Sequence, residues 1–403
     1  MPPVAANPQS ESRRYWGLVA LAALLALAGY AAAHHMDVNG HAVTGMDNRV
    51  VWGLPHVFAI LMIVAASGVL NVASIGSVFG QAEYKARAPL AGLLCIALLA
   101  GGLFVLMLDL GRPERMVVAA THYNFTSVFA WNVFIYTGMF AVAAAYLWTL
   151  MERRMSRWSG PLGVAALVWR FVLTTGTGAI FAFLVARPAY GSALLPPLFI
   201  VLSFAWGLAV FLVAQAAAYA WCGRALPEAI HARMRRLLGV FVAAALYFSL
   251  VHHLVNAYFA QQQAFERFLL VDGGLYPLLY WGAFVAAGSV APLALLWRRG
   301  APSAASTLAA ALLVLLGAFA WLYVFVIGGQ AYPQPIFPGF DARSSFGDGA
   351  IARYAPRWPE LVLGIGGVAL AALVTLVGAR AFAFVPEDPA TTPAPAARGA
   401  GAD

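Results

Sequence analysis

Long apolar runs separated by short polar stretches dominate the chain from Trp16 to the Ala379 region. A transmembrane helix needs about 20 largely apolar residues. Runs bounded by charged residues, Pro or Gly meet that need ten times, at residues 15 to 33, 52 to 79, 89 to 110, 127 to 150, 161 to 185, 195 to 222, 237 to 259, 275 to 297, 305 to 328 and 359 to 384. The pattern predicts an all-α polytopic membrane protein of about ten transmembrane helices within residues 15–384. The second to fifth and the sixth to ninth runs form up-down sets. They fit two four-helix bundles, about 52–185 and 195–328, with the first and last helices flanking them. Residues 1–14 are expected as a cytoplasmic N-terminal segment, and the Pro/Ala/Gly/Thr-rich residues 385–403 as a disordered cytoplasmic tail.

Basic residues choose the orientation. With the N-terminus inside, fifteen Lys and Arg fall on the inner side, eight on the outer side, and Arg170 within the fifth run. The positive-inside rule therefore places both termini in the cytoplasm. Arg13 and Arg14 before an apolar run, then Ala31-Ala32-Ala33 before His34, imitate a secretory signal with its cleavage site. The run is long enough to span, so an uncleaved first helix is expected.

Composition narrows the function classes. Of the 403 residues, 62% are hydrophobic and 10% charged, against roughly 25% charged in soluble domains. A single soluble core cannot absorb so much apolar surface. The formal charge of +8 follows from the loop asymmetry alone and requires no anionic partner; the chain is expected to contact membrane lipid and no nucleic acid. With only Cys95 and Cys222, a disulfide scaffold or a cysteine-ligated cluster is excluded.

The polar residues are unevenly placed. Seven of the eight histidines (His34, His35, His41, His56, His122, His252 and His253) lie near the outer side, as do Asp37, Asp47, Asp109, Glu114, Glu266, Asp272 and Glu360. Ionisable groups at membrane depth are costly and mark function more often than other residues. His56 follows Trp52-Gly53-Leu54-Pro55 at the mouth of the second run. It is placed to hydrogen-bond a quinone carbonyl and relay a proton, or to sit wetted by loop water. His252 and Asn256 share a helix face, beside His253. Helix-to-helix hydrogen bonding is the simpler expectation for that secondary polar cluster. Arg170, near mid-depth after Trp169, would serve proton or anion movement or a structural pairing. Asp109 ends the third run beside a charged loop where it could be simply solvated.

Other chemistries find little support. Haem would require histidines facing each other at one depth, and only the outer layer offers candidates. Metal-binding spacings, a nucleophile elbow, a Walker loop and GxGxxG are all lacking. Gly76 and Gly80 form a GxxxG pair expected to pack helices closely. The segment 328–360, rich in Pro, Gly and aromatics, is expected to cap a site or dock a partner.

The stretch Leu108-Asp109-Leu110-Gly111-Arg112-Pro113-Glu114-Arg115, followed by Thr121-His122-Tyr123-Asn124-Phe125-Thr126-Ser127 and Trp131-Asn132, resembles the NrfD/PsrC family of quinone-interacting membrane subunits of complex iron-sulfur molybdoenzymes, polysulfide reductases among them. Further matches are Arg187-Pro188, Leu195-Pro196-Pro197-Leu198-Phe199, His253-Leu254-Val255-Asn256, Glu266-Arg267-Phe268, Asp272-Gly273-Gly274 and Gly328-Gly329-Gln330, from about Trp52 to Gly367. The resemblance implies the ten-helix branch, with menaquinone or ubiquinone as bound substrate near the outer face and no haem, iron-sulfur cluster or metal in this chain. It also implies a docked ferredoxin-like iron-sulfur subunit, a molybdopterin catalytic subunit and a bacterial cytoplasmic (inner) membrane location. His56 matches the family's quinone-side histidine, and Asp109 lies where an acid is expected in the next helix. A tyrosine contact of some members is replaced here by Thr174-Thr175-Gly176-Thr177-Gly178, in which Thr175 or Thr177 would substitute as hydroxyl donor. The expected proton path takes in Asp109, His122 and Arg170.

The leading expectation is a quinone-reactive membrane anchor of a multi-subunit oxidoreductase. An alternative complex III type quinol-oxidising assembly keeps the same fold, and a purely structural anchor keeps it without the chemistry. A proton-coupled transporter is a different class, but no matched pair of Gly/Pro-broken helices appears at mid-depth.

Overall fold

The computed structural model describes residues 13–298, 303–334, 340, 343–345 and 347–381. Most of the N-terminal segment, the tail, and Phe337, Pro338, Gly339 and Phe346 of the long loop lie outside the described residues. Among the described residues, ten helices are long and apolar enough to cross a membrane: α1 Arg13–Asn39, α2 Leu54–Ser77, α3 Ala88–Leu108, α4 Val128–Met151, α5 Arg153–Ala182, α6 Leu195–Trp221, α7 Glu228–Tyr258, α8 Leu275–Leu296, α9 Ala304–Ala331 and α10 Trp358–Ala381. The protein is a multi-pass helical membrane protein, without a β-strand among the described residues.

Several helices extend past their apolar runs. α1 continues through His34, His35 and Asp37 to Asn39, whose side chain donates to the His35 carbonyl at 2.8 Å. α7 starts at Glu228 rather than 237 and carries His231, Arg233, Arg235 and Arg236 on its first turns. Helical hydrogen bonding does not stop where apolarity does, and long basic side chains reach the interface from a helix end. α9 runs on through Gly328-Gly329-Gln330, residues expected to open the following loop. A short helix, Ala260–Arg267, follows α7; its Gln, Ala, Glu and Arg are good helix formers in a stretch too polar to register as a span.

α2 is the axis of the molecule. It packs on α3, α5, α6 and α10, and 83% of its apolar window is buried, against 28% for α1. α3 also packs on α4, and α4 on α5. Beyond α2, the helices α6, α7, α8 and α9 pack on one another, and α1 lies along α10 at the periphery. Leu18, Leu21, Leu24 and Leu27 of α1 face outward, as an apolar surface covered by lipid requires. Tyr15 donates to the Leu376 carbonyl at 3.1 Å, so the Arg13 and Ala381 ends meet at one end of the molecule. His56 lies at the other.

Glycine sets the close approaches, but not the pair expected. Gly76 abuts the backbone of Tyr84 and Lys85 in the turn after α2, and Gly80 occupies that turn at φ +72°. Neither brings two membrane helices together. That role falls to Gly68 on Gly207 between α2 and α6, where a Cβ at Gly68 would lie 1.8 Å from the Ser203 carbonyl oxygen. Gly288 on Gly317 joins α8 to α9 in the same way.

Candidate functional site

The mouth of α2 is built by contacts from distant parts of the chain. Gly53 precedes the helix and Pro55 occupies its first turn, where a missing N–H costs nothing. The free Leu54 N–H donates to the Tyr354 hydroxyl at 2.7 Å, which in turn donates to Glu360 Oε1 at 2.5 Å. Glu360, fully buried at the start of α10, also accepts from the backbone N–H groups of Gly45 and Arg357. Gly53 leaves room for this network, because a Cβ would fall 2.5 Å from Glu360 Oε1 and 2.8 Å from the Tyr354 hydroxyl and would displace them. Burial, then the hydrogen bond to Glu360 and its charge, push the Tyr354 phenol above its ordinary range, and the Leu54 N–H opposes this only in part.

Gln330, at the end of α9, fixes the residues just before α2. Its Oε1 accepts from the N–H groups of Val51 and Trp52 at 3.1 and 3.0 Å, and its Nε2 donates to the Trp52 carbonyl at 2.9 Å. Arg187 donates to the Gln330 and Arg49 carbonyls at 2.9 and 2.8 Å. The Arg187-Pro188 and Gly328-Gly329-Gln330 motifs thus converge on one loop.

That loop aims Trp52 into the mouth. The indole stacks on His56 with centroids 5.8 Å apart and touches Phe129 of α4 and Phe181 of α5 at 6.3 and 5.6 Å. His56 Nδ1 stands 2.7 Å from Asp109 Oδ2 at the end of α3. The Asp109 side chain is 1% exposed and that of His56 12%. Their atoms are close but off a hydrogen-bond line, and neither Asp109 oxygen receives a hydrogen bond from the described residues. A buried carboxylate with unmet acceptor capacity carries a desolvation cost of about 1 to 3 kcal/mol or more. It is suited to a ligand donor or to a proton.

The other predicted residues scatter around this pair. Thr177 is buried and lies 3.4 Å from the Tyr136 hydroxyl of α4, which sequence reasoning missed. A tyrosine of α4 thus brings a phenol to the threonine stretch expected to lack one. Thr175 points away, into a groove between α4 and α5 open to the membrane side and lined by Trp131, Phe171 and Phe183. His122 is exposed and bonds to neighbouring Thr121 at 3.0 Å. The second histidine beside Asp109, after His56, is His41 rather than His122: its Nε2 is 3.2 Å from the Asp109 carbonyl oxygen. Arg170 is buried under Phe171 and Phe204, with Nε and Nη1 unpartnered among the described residues. Its own carbonyl accepts from Ser67, eleven residues and roughly 16 Å down α2 from His56. The structure therefore does not gather Thr175, His122 or Arg170 at the His56–Asp109 pair: helix phase turns Thr175 outward, and depth separates Arg170.

His252, His253 and Asn256 do come together, with a partner the helix-face pattern did not indicate. His253 Nδ1 and Asn256 Nδ2 each lie 2.8 Å from a Glu266 oxygen, and Asn256 Nδ2 lies 3.3 Å from His252 Nε2. Glu266 is delivered by the short helix after α7. Among the described residues no three His, Cys, Asp or Glu side chains gather as a metal ion would require.

A helical membrane protein, with ten candidate spans among the described residues and a buried acid–imidazole pair at one mouth, is the class that fold and site define. The chain belongs to the NrfD family, described as polysulphide reductase NrfD, whose pattern it matches over residues 42–334. It is similar to the Hdr-like menaquinol oxidoreductase integral membrane subunit of Archaeoglobus fulgidus, at 29% identity over 94% of this chain and 96% of the relative. A Halobacterium salinarum protein, provisionally named as a membrane subunit of dimethyl sulfoxide reductase, is 25% identical over 94% of this chain and 93% of its own. A selenate reductase subunit of Mesobacillus selenatarsenatis is 21% identical over 87% and 90%.

Proposed function

We propose that the protein is the quinone-reactive membrane subunit of a multi-subunit oxidoreductase. The observation that carries this is the buried Asp109 carboxylate, unmet by a donor among the described residues, against a His56 ring stacked on Trp52 at the mouth of α2. A quinone headgroup is a flat ring with a carbonyl at each end. Trp52 offers it a face and His56 an N–H or a proton acceptor. Thr177 with Tyr136 supplies hydroxyls on the helices opposite. Oxidation of the quinol releases electrons and protons in equal number. His56 takes the proton of the hydroxyl it faces, Asp109 stabilises the resulting imidazolium, that proton leaves past His41 to solvent, and the proton of the other hydroxyl is released to solvent as the second electron departs.

The electrons leave through a partner at the His56 end, an iron-sulfur subunit of ferredoxin type, and a molybdopterin subunit holds the terminal substrate site. The names of the dimethyl sulfoxide and selenate reductase relatives support such an assembly. The Archaeoglobus relative favours menaquinol as substrate and its oxidation as the direction. With its basic residues gathered at the Arg13 end, the protein would sit in a bacterial cytoplasmic membrane with that end inside and His56 toward the outer face.

The test is to purify the tagged protein from native membranes and assay the co-purifying subunits for iron, molybdenum and haem, together with menaquinol-linked turnover. Iron and molybdenum with turnover support the proposal. Haem c without molybdenum moves it to an alternative complex III type assembly. A metal-free protein, stable alone and inactive with quinol, overturns it.

A further inference from the structure

Beyond the His56 mouth, the helices α6 to α9 enclose a second set of buried titratable groups that quinone chemistry leaves unused. Asn256 Nδ2 donates to Glu266 Oε1 at 2.8 Å and faces His252 Nε2 at 3.3 Å. An acceptor at Nε2 means that neutral His252 carries its hydrogen on Nδ1. That atom is buried and has no partner among the described residues. His252 and His253 also line a small cavity of about 10 Å³, with Tyr280, Trp321 and Phe325 among its other walls. The volume is about that of one water. His253 meanwhile donates Nδ1–H to Glu266 Oε2, and about a tenth of its side chain remains exposed.

The charged and titratable surroundings are sparse. Tyr280 of α8 stands at the edge of the His253 ring, centroids 4.7 Å apart, and approaches the Ser249 hydroxyl at 3.3 Å. Arg267, next to Glu266 in the chain, turns away onto Asp272 at 2.7 Å. Among the described residues no arginine or lysine forms an ion pair with Glu266. Among the described residues the Glu266 carboxylate thus meets only the side-chain donors of His253 and Asn256.

The cluster is in physical contact with the quinone mouth. His56 stacks on Trp52, Trp52 meets Phe181, Phe181 meets Phe325 at 4.9 Å, and Phe325 stacks on Trp321 at 4.8 Å. Trp321 Nε1 donates to Ser249 Oγ at 3.0 Å, one turn from His253. Phe325 lies in the π-helical segment Val324–Gly328, a local geometry that recurs at functional sites. Gln330, just after it, holds Trp52.

We propose that Glu266, His253, Asn256 and His252, with the water-sized cavity beside them, form a second protonation site, which takes up a proton as charge moves at the quinone mouth and releases it when that charge is restored. This rests on the quinone function proposed above. The arriving proton comes from solvent and binds the vacant Nε2 of His253, so that a neutral imidazole beside a carboxylate becomes an imidazolium–carboxylate pair. One N–H bond forms and later breaks, and no electron is transferred at the cluster. Coupling is electrostatic and mechanical, carried through low-dielectric protein along the aromatic contacts of α9.

Infrared difference spectroscopy of the intact complex, oxidised minus reduced by menaquinol, with isotope-labelled histidine, tests it. Wild type is expected to show two label-sensitive histidine bands, one from His56 and one from His253. A single band overturns the proposal without any variant. In His253→Gln, and separately in Glu266→Gln, one band should vanish while turnover stays within about twofold of wild type. Both bands surviving in an assembled His253→Gln complex, or turnover collapsing there with His56 untouched, overturns it as well. A complex without menaquinol-linked turnover instead removes the quinone function, so the two failures are told apart.

Discussion

Gln330 grips the peptide of Trp52 at both ends, accepting from its N–H at 3.0 Å and donating to its carbonyl at 2.9 Å. Residues 278 apart in sequence are thereby held as a strand partner would hold them. The indole that stacks on His56 takes its direction from this grip.

Gln330→Leu keeps the size of the side chain and loses its hydrogen bonds, leaving the Val51 and Trp52 amides without their partner. The expected cost is about 2 to 3 kcal/mol of local stability, seen as faster proteolysis within residues 49–53. The KM for quinol should rise more than kcat falls, because Trp52 positions the ring and exchanges no proton.

His56→Ala should lower menaquinol-linked turnover by roughly 100-fold or more while the complex still assembles, as loss of a general acid–base group does. Asp109→Asn should fall in the same direction, since an amide cannot stabilise the imidazolium. Turnover assays on purified complexes, normalised to co-purified iron, check both.

His41 and His122 separate two proton exits. His41→Ala should slow turnover several-fold with a solvent isotope effect, whereas His122→Ala, on an exposed side chain bonded to Thr121, should match wild type. Equal losses in both variants would count against an exit beside Asp109.

The Tyr354–Glu360 contact predicts an alkaline limit. Tyr354 is held protonated in the fold, above its ordinary value of 10.0. A group whose folded pKa is raised adds stability below its unfolded pKa, and that stability is lost as pH rises through the folded value. The Tm of wild type should therefore decline above about pH 10, and Tyr354→Phe should start lower but lose this component of the decline, as differential scanning calorimetry would register.

Gly68→Val places a side chain into the Ser203 backbone. Overpacking on this scale costs about 3 kcal/mol or more, and the expected outcome is loss of folded protein from membranes by fluorescence-detected size-exclusion chromatography. Gly80→Ala meets nothing within 4 Å and bears only the strain of φ +72°, so it should accumulate normally or nearly so.

The ten spans were legible because each apolar run exceeds membrane thickness, a local property that needs no knowledge of neighbours. Their ends were less so: α7 begins nine residues before its apolar run, on arginines that hydropathy counts as loop. His56 stood out as an ionisable residue at a helix mouth, and the family resemblance located Asp109 in the next helix. Partners supplied from far away were not legible. Glu266 reaches His253 only through a short polar helix, and Tyr136 faces Thr177 because α4 and α5 happen to pack in that phase. Gly76 and Gly80 carry the expected spacing, yet the chain turns at Gly80, whereas Gly68 and Gly207 share no local signature at all.

Gly68 against Gly207 leaves α2 and α6 no compressible layer between their backbones. The two helices can move only as one shaft, so a ring cannot be admitted by prising them apart. What can yield is the collar above, residues 44–53 and 354–360, which is tied by replaceable hydrogen bonds from Gln330, Tyr354 and Glu360. A docked partner that tugs on this collar would retune the mouth while the shaft below keeps its alignment.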